Sequence, residues 1–140
     1  MSFREKAAWI SLVVSIGVYV FYFAQAVPAL AHGNTGGGYY FGLLVGTTVL
    51  FVIALIVLTV VVAVLAPKDA KTPLDEREKL IGLKASQLAG AALSAGAFMT
   101  ILALFLGANR FFAANFLFFS MGISETLKSG AQIFYYRRGV

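Results

Sequence analysis

Four long apolar segments follow one another along the chain, over about residues 7–30, 39–66, 81–106 and 111–133, and the first two contain no charged residue. A helix that crosses a bilayer needs roughly 20 predominantly apolar residues. Each of the four segments is near or above that length. The sequence therefore predicts four transmembrane helices.

The composition of the chain supports lipid as its solvent. Of the 140 residues, 60% are hydrophobic and only 12% are charged. A soluble chain of this length buries only about two thirds of its surface on folding. Much of the apolar surface would therefore face water unless lipid covered it, and we predict an all-α membrane protein.

A charged link with Pro67 and Pro73 separates the second apolar segment from the third, whereas short turns join the first and last pairs. The sequence thus predicts one four-helix transmembrane domain over residues 1–140, arranged as two antiparallel hairpins. Its helices are predicted at about residues 7–30, 39–66, 73–106 and 111–136. Thr72 is the predicted cap of the third helix, with Pro73 in the first turn. A helix this long exceeds a hydrocarbon core of about 30 Å, so two of its turns should project into the cytoplasm.

The lysines and arginines predict the orientation of these helices. Arg110 is the only one of the 11 basic residues that falls on the outer side of this topology. Because cytoplasmic loops carry an excess of Lys and Arg, both termini should be cytoplasmic. Arg4 and Lys6 followed by the first apolar segment also resemble a signal peptide. The apolar run of this segment, however, exceeds the usual 7 to 15 residues of a signal peptide. The basic residues are topology signals in this interpretation, and no nucleic-acid partner is predicted.

A polar face in the fourth segment is the most informative feature for function, because it includes Glu125. A charge at mid-membrane costs about 2.5 to 3.5 kcal/mol, so this carboxyl group should be protonated, paired or turned to a wet cavity. The third helix runs the opposite way and should bring polar residues to a similar depth. The predicted intramembrane polar cluster comprises Glu125, Lys128, Gln87, Lys84, Ser129 and Gln132. It is either an interhelical lock or a protonatable functional site.

The segment 74–84 is the second candidate site. Asp75, Glu76, Arg77 and Lys79 lie at its start, with oppositely charged residues three and four positions apart. This stalk could bind a cytoplasmic protein, or it could simply be a solvated charged face.

The residues required for catalysis or for a metal site are missing from the sequence. There is no cysteine and only one histidine, and no nucleophile has a nearby base. We predict that the protein is not an enzyme, and that it uses no cofactor and no metal ion.

Three short motifs resemble those of an uncharacterised family of small four-helix inner-membrane proteins of bacteria. They are the run 3–6, the run 75–79 with Lys84 and Ala85, and the tail from Glu125 through Gln132 to Gly139. The resemblance implies a multi-pass protein of the bacterial inner membrane and supplies no activity. Proteins of this kind are often found beside small helix-turn-helix regulators, which implies a cytoplasmic regulatory partner.

Two functional hypotheses follow. In the first, the chain is a non-enzymatic membrane partner of a cytoplasmic regulator that binds the 74–84 stalk. In the alternative, it is a small proton-linked transporter or sensor that uses Glu125. Such a protein should act as a homodimer, because four helices alone leave little lumen for a transport path. The surroundings of Glu125 discriminate between them: a cavity favours transport or sensing, and a seal against Lys128, Lys84 or Gln87 favours a structural lock.

Overall fold

The computed structural model describes residues 3–31, 37–65, 67, 73 and 75–138. It contains four long helices, α1 (Phe3–Ala31), α2 (Gly37–Leu65), α3 (Glu76–Phe105) and α4 (Arg110–Arg138), and the described residues form no strand. The all-α prediction is confirmed. Three of these helices, α1, α2 and α3, are long and apolar enough to cross a membrane. The fourth carries more polar residues and is not apolar enough by the same measure.

The start of α3 differs from the sequence prediction. The helix begins at Glu76, and Asp75 is its N-cap because the Asp75 carboxylate accepts a hydrogen bond of 2.7 Å from the Glu76 backbone N–H. Pro73 lies outside the helix. The predicted cap, Thr72, lies outside the described residues. A capping aspartate next to the first helical residue thus takes the role that the sequence analysis assigned to Thr72.

A tight turn connects α3 to α4. Gly107 has a φ of +92°, a backbone conformation that residues with a Cβ rarely adopt, so glycine is required there. Asn109 then caps α4, because its side-chain carbonyl accepts a hydrogen bond of 2.7 Å from the Phe112 backbone N–H.

The helices form a curved row in the order α2, α1, α4, α3. Within the described part of the chain, the closely packed pairs of helices are α1 with α2, α1 with α4, and α3 with α4. The most apolar 18-residue stretch of α2 has no buried residue at all. Each of the two outer helices is therefore closely packed against one helix.

Aromatic side chains form the core at the end of the bundle where α4 begins. The Tyr22 hydroxyl donates a hydrogen bond of 2.8 Å to the Asn115 side chain, which joins α1 to α4. The Tyr40 hydroxyl donates to the Ala26 carbonyl at 3.4 Å, which joins α2 to α1. The Tyr40 ring also contacts Phe111 at 4.1 Å between centroids. Large rings rather than aliphatic side chains thus fill this end.

Charged residues join three helices at the opposite end. Arg4 of α1 pairs with Glu78 of α3 at 3.0 Å, and Arg137 of α4 lies 3.9 Å from Glu5 of α1. The Arg77 guanidinium donates to the backbone carbonyl of Tyr136 at 3.5 Å. The start of α3 is therefore level with the start of α1 and the end of α4. These contacts hold the first turn of α3 against its neighbours, and the projection of two of its turns into the cytoplasm stays a prediction.

Candidate functional site

A cleft lies between α2 and α3, and α1 and α4 form its floor. Its volume is about 240 Å³. Most of its lining is apolar, and α3 contributes Leu93. The polar and aromatic residues that line it are Tyr19, Thr47, Thr48, Phe51, Phe118, Ser124 and Glu125. We call this space the central cleft.

Glu125 is the only formally charged residue among those that line the central cleft. It lies near the middle of α4, about 22 Å from Arg110 and about 20 Å from Arg138 along the helix axis. Its side chain is partly buried, and it forms no salt bridge and no hydrogen bond with any described residue. A carboxyl group thus faces a cavity at the centre of the bundle without a cationic partner.

Two adjacent threonines of α2 line the central cleft, and their hydroxyl groups differ in burial and in hydrogen bonding. Thr47 is buried, with 3% of its surface exposed, and its hydroxyl has no hydrogen-bond partner in the part of the chain that the structure describes. The hydroxyl of Thr48 donates a hydrogen bond of 2.8 Å to the Leu44 carbonyl. Buried hydroxyl groups normally have a partner, because an unpaired one costs about 1 to 3 kcal/mol. Thr47 is therefore a free polar group beside the cavity that Glu125 faces.

Three aromatic rings from three helices form one wall of the central cleft. Tyr19 of α1 lies between Phe51 of α2, at 6.2 Å between centroids, and Phe118 of α4, at 4.9 Å. Gly122 lets α4 approach this wall, because a Cβ there would lie 2.7 Å from the Tyr19 ring. On the other side of α4, the Ser124 hydroxyl donates a hydrogen bond of 2.8 Å to the Ala89 carbonyl of α3.

Three of the residues predicted to cluster with Glu125 line a different cavity. Lys128, Ser129 and Gln132 border a space of about 710 Å³ at the end of the bundle where α4 ends. The Ser129 hydroxyl is buried there and donates a hydrogen bond of 3.0 Å to the Ser11 hydroxyl of α1. The side chains of Glu125 and Lys128 therefore lie in separate spaces, although the two residues are one turn apart on α4.

The two predicted cluster residues of α3 are exposed and do not reach Glu125. The Lys84 ammonium lies 6.0 Å from the centroid of the Tyr135 ring, and Gln87 has no hydrogen bond among the described residues. Neither residue lines the central cleft. The face of α3 that meets α4 instead carries Ala85 and Ala89, which are buried.

The four candidate partner-binding residues are exposed on the stalk, and each has a contact within the protein. Asp75 caps α3, and Arg77 donates to a backbone carbonyl of α4. Lys79 and Glu76 form an ion pair of 2.6 Å within α3. A cytoplasmic partner would therefore meet side chains that are already engaged in intramolecular contacts.

Sequence reasoning missed the residues of α1 and α2 that complete the central cleft, which are Tyr19, Thr47 and Phe51. A signal for Thr47 exists, because Thr47 and Thr48 are adjacent hydroxyl residues inside the most apolar helix of the described chain. Tyr19 and Phe51 carry no such signal. Aromatic residues occur throughout the apolar segments, and only packing selects these two.

Comparison with known proteins finds no match: no family model, no curated protein and no solved structure is similar to this chain. Among the described residues, no group of three acidic, histidine or cysteine side chains is placed to hold a metal ion. Arguments about function therefore depend on the geometry around Glu125.

Proposed function

We propose that this chain is a non-enzymatic, multi-pass membrane protein that acts as a small proton-linked transporter or sensor, with Glu125 as its proton-binding residue. The observation that carries the proposal is the position of this carboxyl group, which faces a cavity near mid-helix and has no basic partner among the described residues. Acidic residues within a bilayer typically mark proton or ion pathways, because keeping one there is costly. Of the two hypotheses from the sequence, the alternative is thus better supported.

In this proposal α4 is a fourth span, the chain forms two antiparallel hairpins, and the bilayer is the inner membrane of a bacterium. The excess of basic residues at one end of the helices supports a cytoplasmic position for both termini. Glu125 then lies within the hydrocarbon region. Binding and release of a proton would change the charge of the central cleft and so its hydration.

The packing of the helices suggests how a proton could change the protein's shape. Because α2 packs closely on α1 and α3 packs closely on α4, and α2 and α3 do not pack closely on each other in the described structure, the space between them can widen while α1 and α4 stay in contact. A charged Glu125 favours an open, hydrated cleft, and a neutral one favours closure around the apolar lining. A homodimer is part of this proposal, since a second copy would enclose the open side between α2 and α3.

A distance measurement tests the proposed movement. The chain has no cysteine, so spin labels can be placed at Phe41→Cys on α2 and Phe105→Cys on α3, which are both highly exposed at the same end. In lipid nanodiscs, double electron–electron resonance should show a shorter distance between these two labels at mildly acidic pH than at neutral pH. Labels at Val13→Cys and Phe134→Cys, on α1 and α4, serve as the control and should not move.

The Glu125→Gln variant carries the decisive comparison. Glutamine has nearly the same shape but cannot change its charge, so the labelled variant should keep one distance at both pH values. If wild type shows no pH-dependent distance, or if Glu125→Gln retains the full change, the proposal is wrong. Proton flux in proteoliposomes then distinguishes a transporter, which moves protons together with a solute, from a sensor, which does not.

The regulator hypothesis remains a second proposal, because Asp75, Glu76, Arg77 and Lys79 are exposed. Reversing the charges of Arg77 and Lys79 should abolish recruitment of a cytoplasmic protein without loss of membrane insertion. If the wild-type chain recruits no cytoplasmic protein, this hypothesis is wrong.

A further inference from the structure

The charge of the central cleft restricts what it can bind. Among the described residues that line it, Glu125 is the only charged one and none is basic. An anion would therefore meet a carboxylate with no compensating positive charge. In the described lining, Tyr19 is the only other titratable residue. The polar residues that α2 contributes there are threonines, and α3 contributes Leu93. A cation is the complementary ligand.

The aromatic wall favours an organic cation over a metal ion. The rings of Phe51, Tyr19 and Phe118 lie side by side along the cavity, and aromatic rings attract ammonium groups most strongly where water is excluded. A hard metal ion instead requires roughly six or more oxygen ligands. The hydroxyls of Thr48 and Ser124 are already bonded to backbone carbonyls, which leaves too few free oxygens.

Thr47 adds a requirement for an N–H group. Thr47 lines the cavity, and its buried hydroxyl has no hydrogen-bond partner among the described residues, so a ligand that reaches this oxygen could donate a hydrogen bond to it. A protonated amine can donate to Thr47 and also pair with the Glu125 carboxylate. The cavity of about 240 Å³ is smaller than the roughly 300 to 1,000 Å³ of common small-molecule sites, so the amine must be compact.

We propose that the central cleft binds a compact alkylammonium ion, paired with the carboxylate of Glu125, donating to Thr47 and lying against the aromatic wall. The inference rests on the proposed role of Glu125 as the proton-binding residue. When the ammonium enters, the O–H bond of the Glu125 carboxylic acid breaks and its proton leaves to water, while the ion pair forms. When a proton returns to Glu125, the ion pair is lost and the ammonium leaves.

The test is calorimetric titration of the reconstituted protein with triethylammonium chloride, with sodium chloride at equal ionic strength as the reference. Repeating the titration in buffers of different ionisation enthalpy counts the protons released. We expect saturable binding of triethylammonium with up to one proton released per bound ion. Glu125→Gln should weaken binding about 100-fold or more, because it removes one partner of a desolvated ion pair.

The two threonines provide a matched pair of variants. Thr47→Val should weaken triethylammonium binding about tenfold, since it removes a hydrogen-bond acceptor for a charged donor. Thr48→Val has the same change in shape, but its hydroxyl is bonded to Leu44, so affinity should change less than about twofold. Tetraethylammonium has no N–H, and its affinity should not depend on Thr47. The comparison remains informative even if Glu125→Gln does not fold.

Several results would overturn the inference. One is that triethylammonium binds no more strongly than sodium. Another is that Thr47→Val and Thr48→Val lose equal affinity for triethylammonium. A third is that a folded Glu125→Gln protein keeps the full affinity for triethylammonium. If the spin-label distance changes with pH but no ammonium binds, the ligand class is wrong and the proton-binding role survives. If ammonium binds as expected while the distance does not depend on pH, the proton-linked movement is wrong and the ligand site survives.

Discussion

Replacing Gly122 with alanine tests the packing that shapes the central cleft. A Cβ at this position would lie 2.7, 2.8 and 2.9 Å from three carbons of the Tyr19 ring. Carbon atoms in favourable contact lie about 3.5 to 4.0 Å apart, so the ring would have to move by roughly 1 Å. It cannot move freely, because Phe51 and Phe118 lie on either side of it.

The expected cost of this substitution follows from overpacking. Inserting a methyl group into a packed core typically costs about 1 to 3 kcal/mol. Alanine is also a better helix former than glycine, by roughly 1 kcal/mol. Gly130 on the same helix provides the control, because a Cβ there would meet nothing within 4 Å. The difference between Gly122→Ala and Gly130→Ala removes the helix-propensity term and should be about 1 to 3 kcal/mol.

Reversible unfolding in mixed micelles, followed by helical circular dichroism, measures this difference. Tyr19→Ala should cost less stability in the Gly122→Ala background than in wild type, because it also removes the clash, and a double-mutant cycle gives the size of this coupling. The reasoning is refuted if Gly122→Ala is as stable as Gly130→Ala. It is also refuted if the two changes at Gly122 and Tyr19 are simply additive.

Three further predictions concern contacts between helices. Ser124→Ala removes the hydrogen bond to the Ala89 carbonyl and should lower stability in mixed micelles by about 0.6 kcal/mol, at most about 1.7; an unchanged stability would contradict this. Arg4→Gln breaks the pair with Glu78 and should cost about 0.2 to 1 kcal/mol, a loss that shrinks in high salt, whereas a salt-independent loss would show a different cause. Burial, and then the Glu78 carboxylate, raise the pKa of Tyr136. The stability that its neutral hydroxyl contributes is therefore present below about pH 10 and lost as pH rises further. The Tyr136→Phe variant should lose less stability than wild type as pH rises above about 10, and equal losses would argue against the shift.

Much of the architecture could be predicted from the sequence, because hydropathy and helix-terminal chemistry are local properties. The all-helical fold follows from the long apolar segments, and the existence of α2 follows from an uninterrupted apolar run. The start of α3 could not be placed as well. Thr72 and Asp75 are both competent caps in the sequence, and the structure uses Asp75.

The candidate site could be predicted only in part. The sequence by itself determined that an acidic residue, Glu125, lies within the fourth apolar segment, where a charge would be costly in a bilayer and is therefore informative. It also grouped Glu125 with Lys128 from their spacing along one helix. Spacing along a helix does not determine which cavity a side chain enters, because that depends on which helices pack on either side.

Only the tertiary structure decided that Glu125 and Lys128 line separate cavities, and that Tyr19, Thr47 and Phe51 belong with Glu125. These residues come from three helices, and their proximity depends on the order of α2, α1, α4 and α3 in the row. In an apolar environment many pairings of such helices bury similar surfaces, so hydropathy cannot select one. Close contacts between particular side chains, such as Tyr19 against Gly122, make that selection.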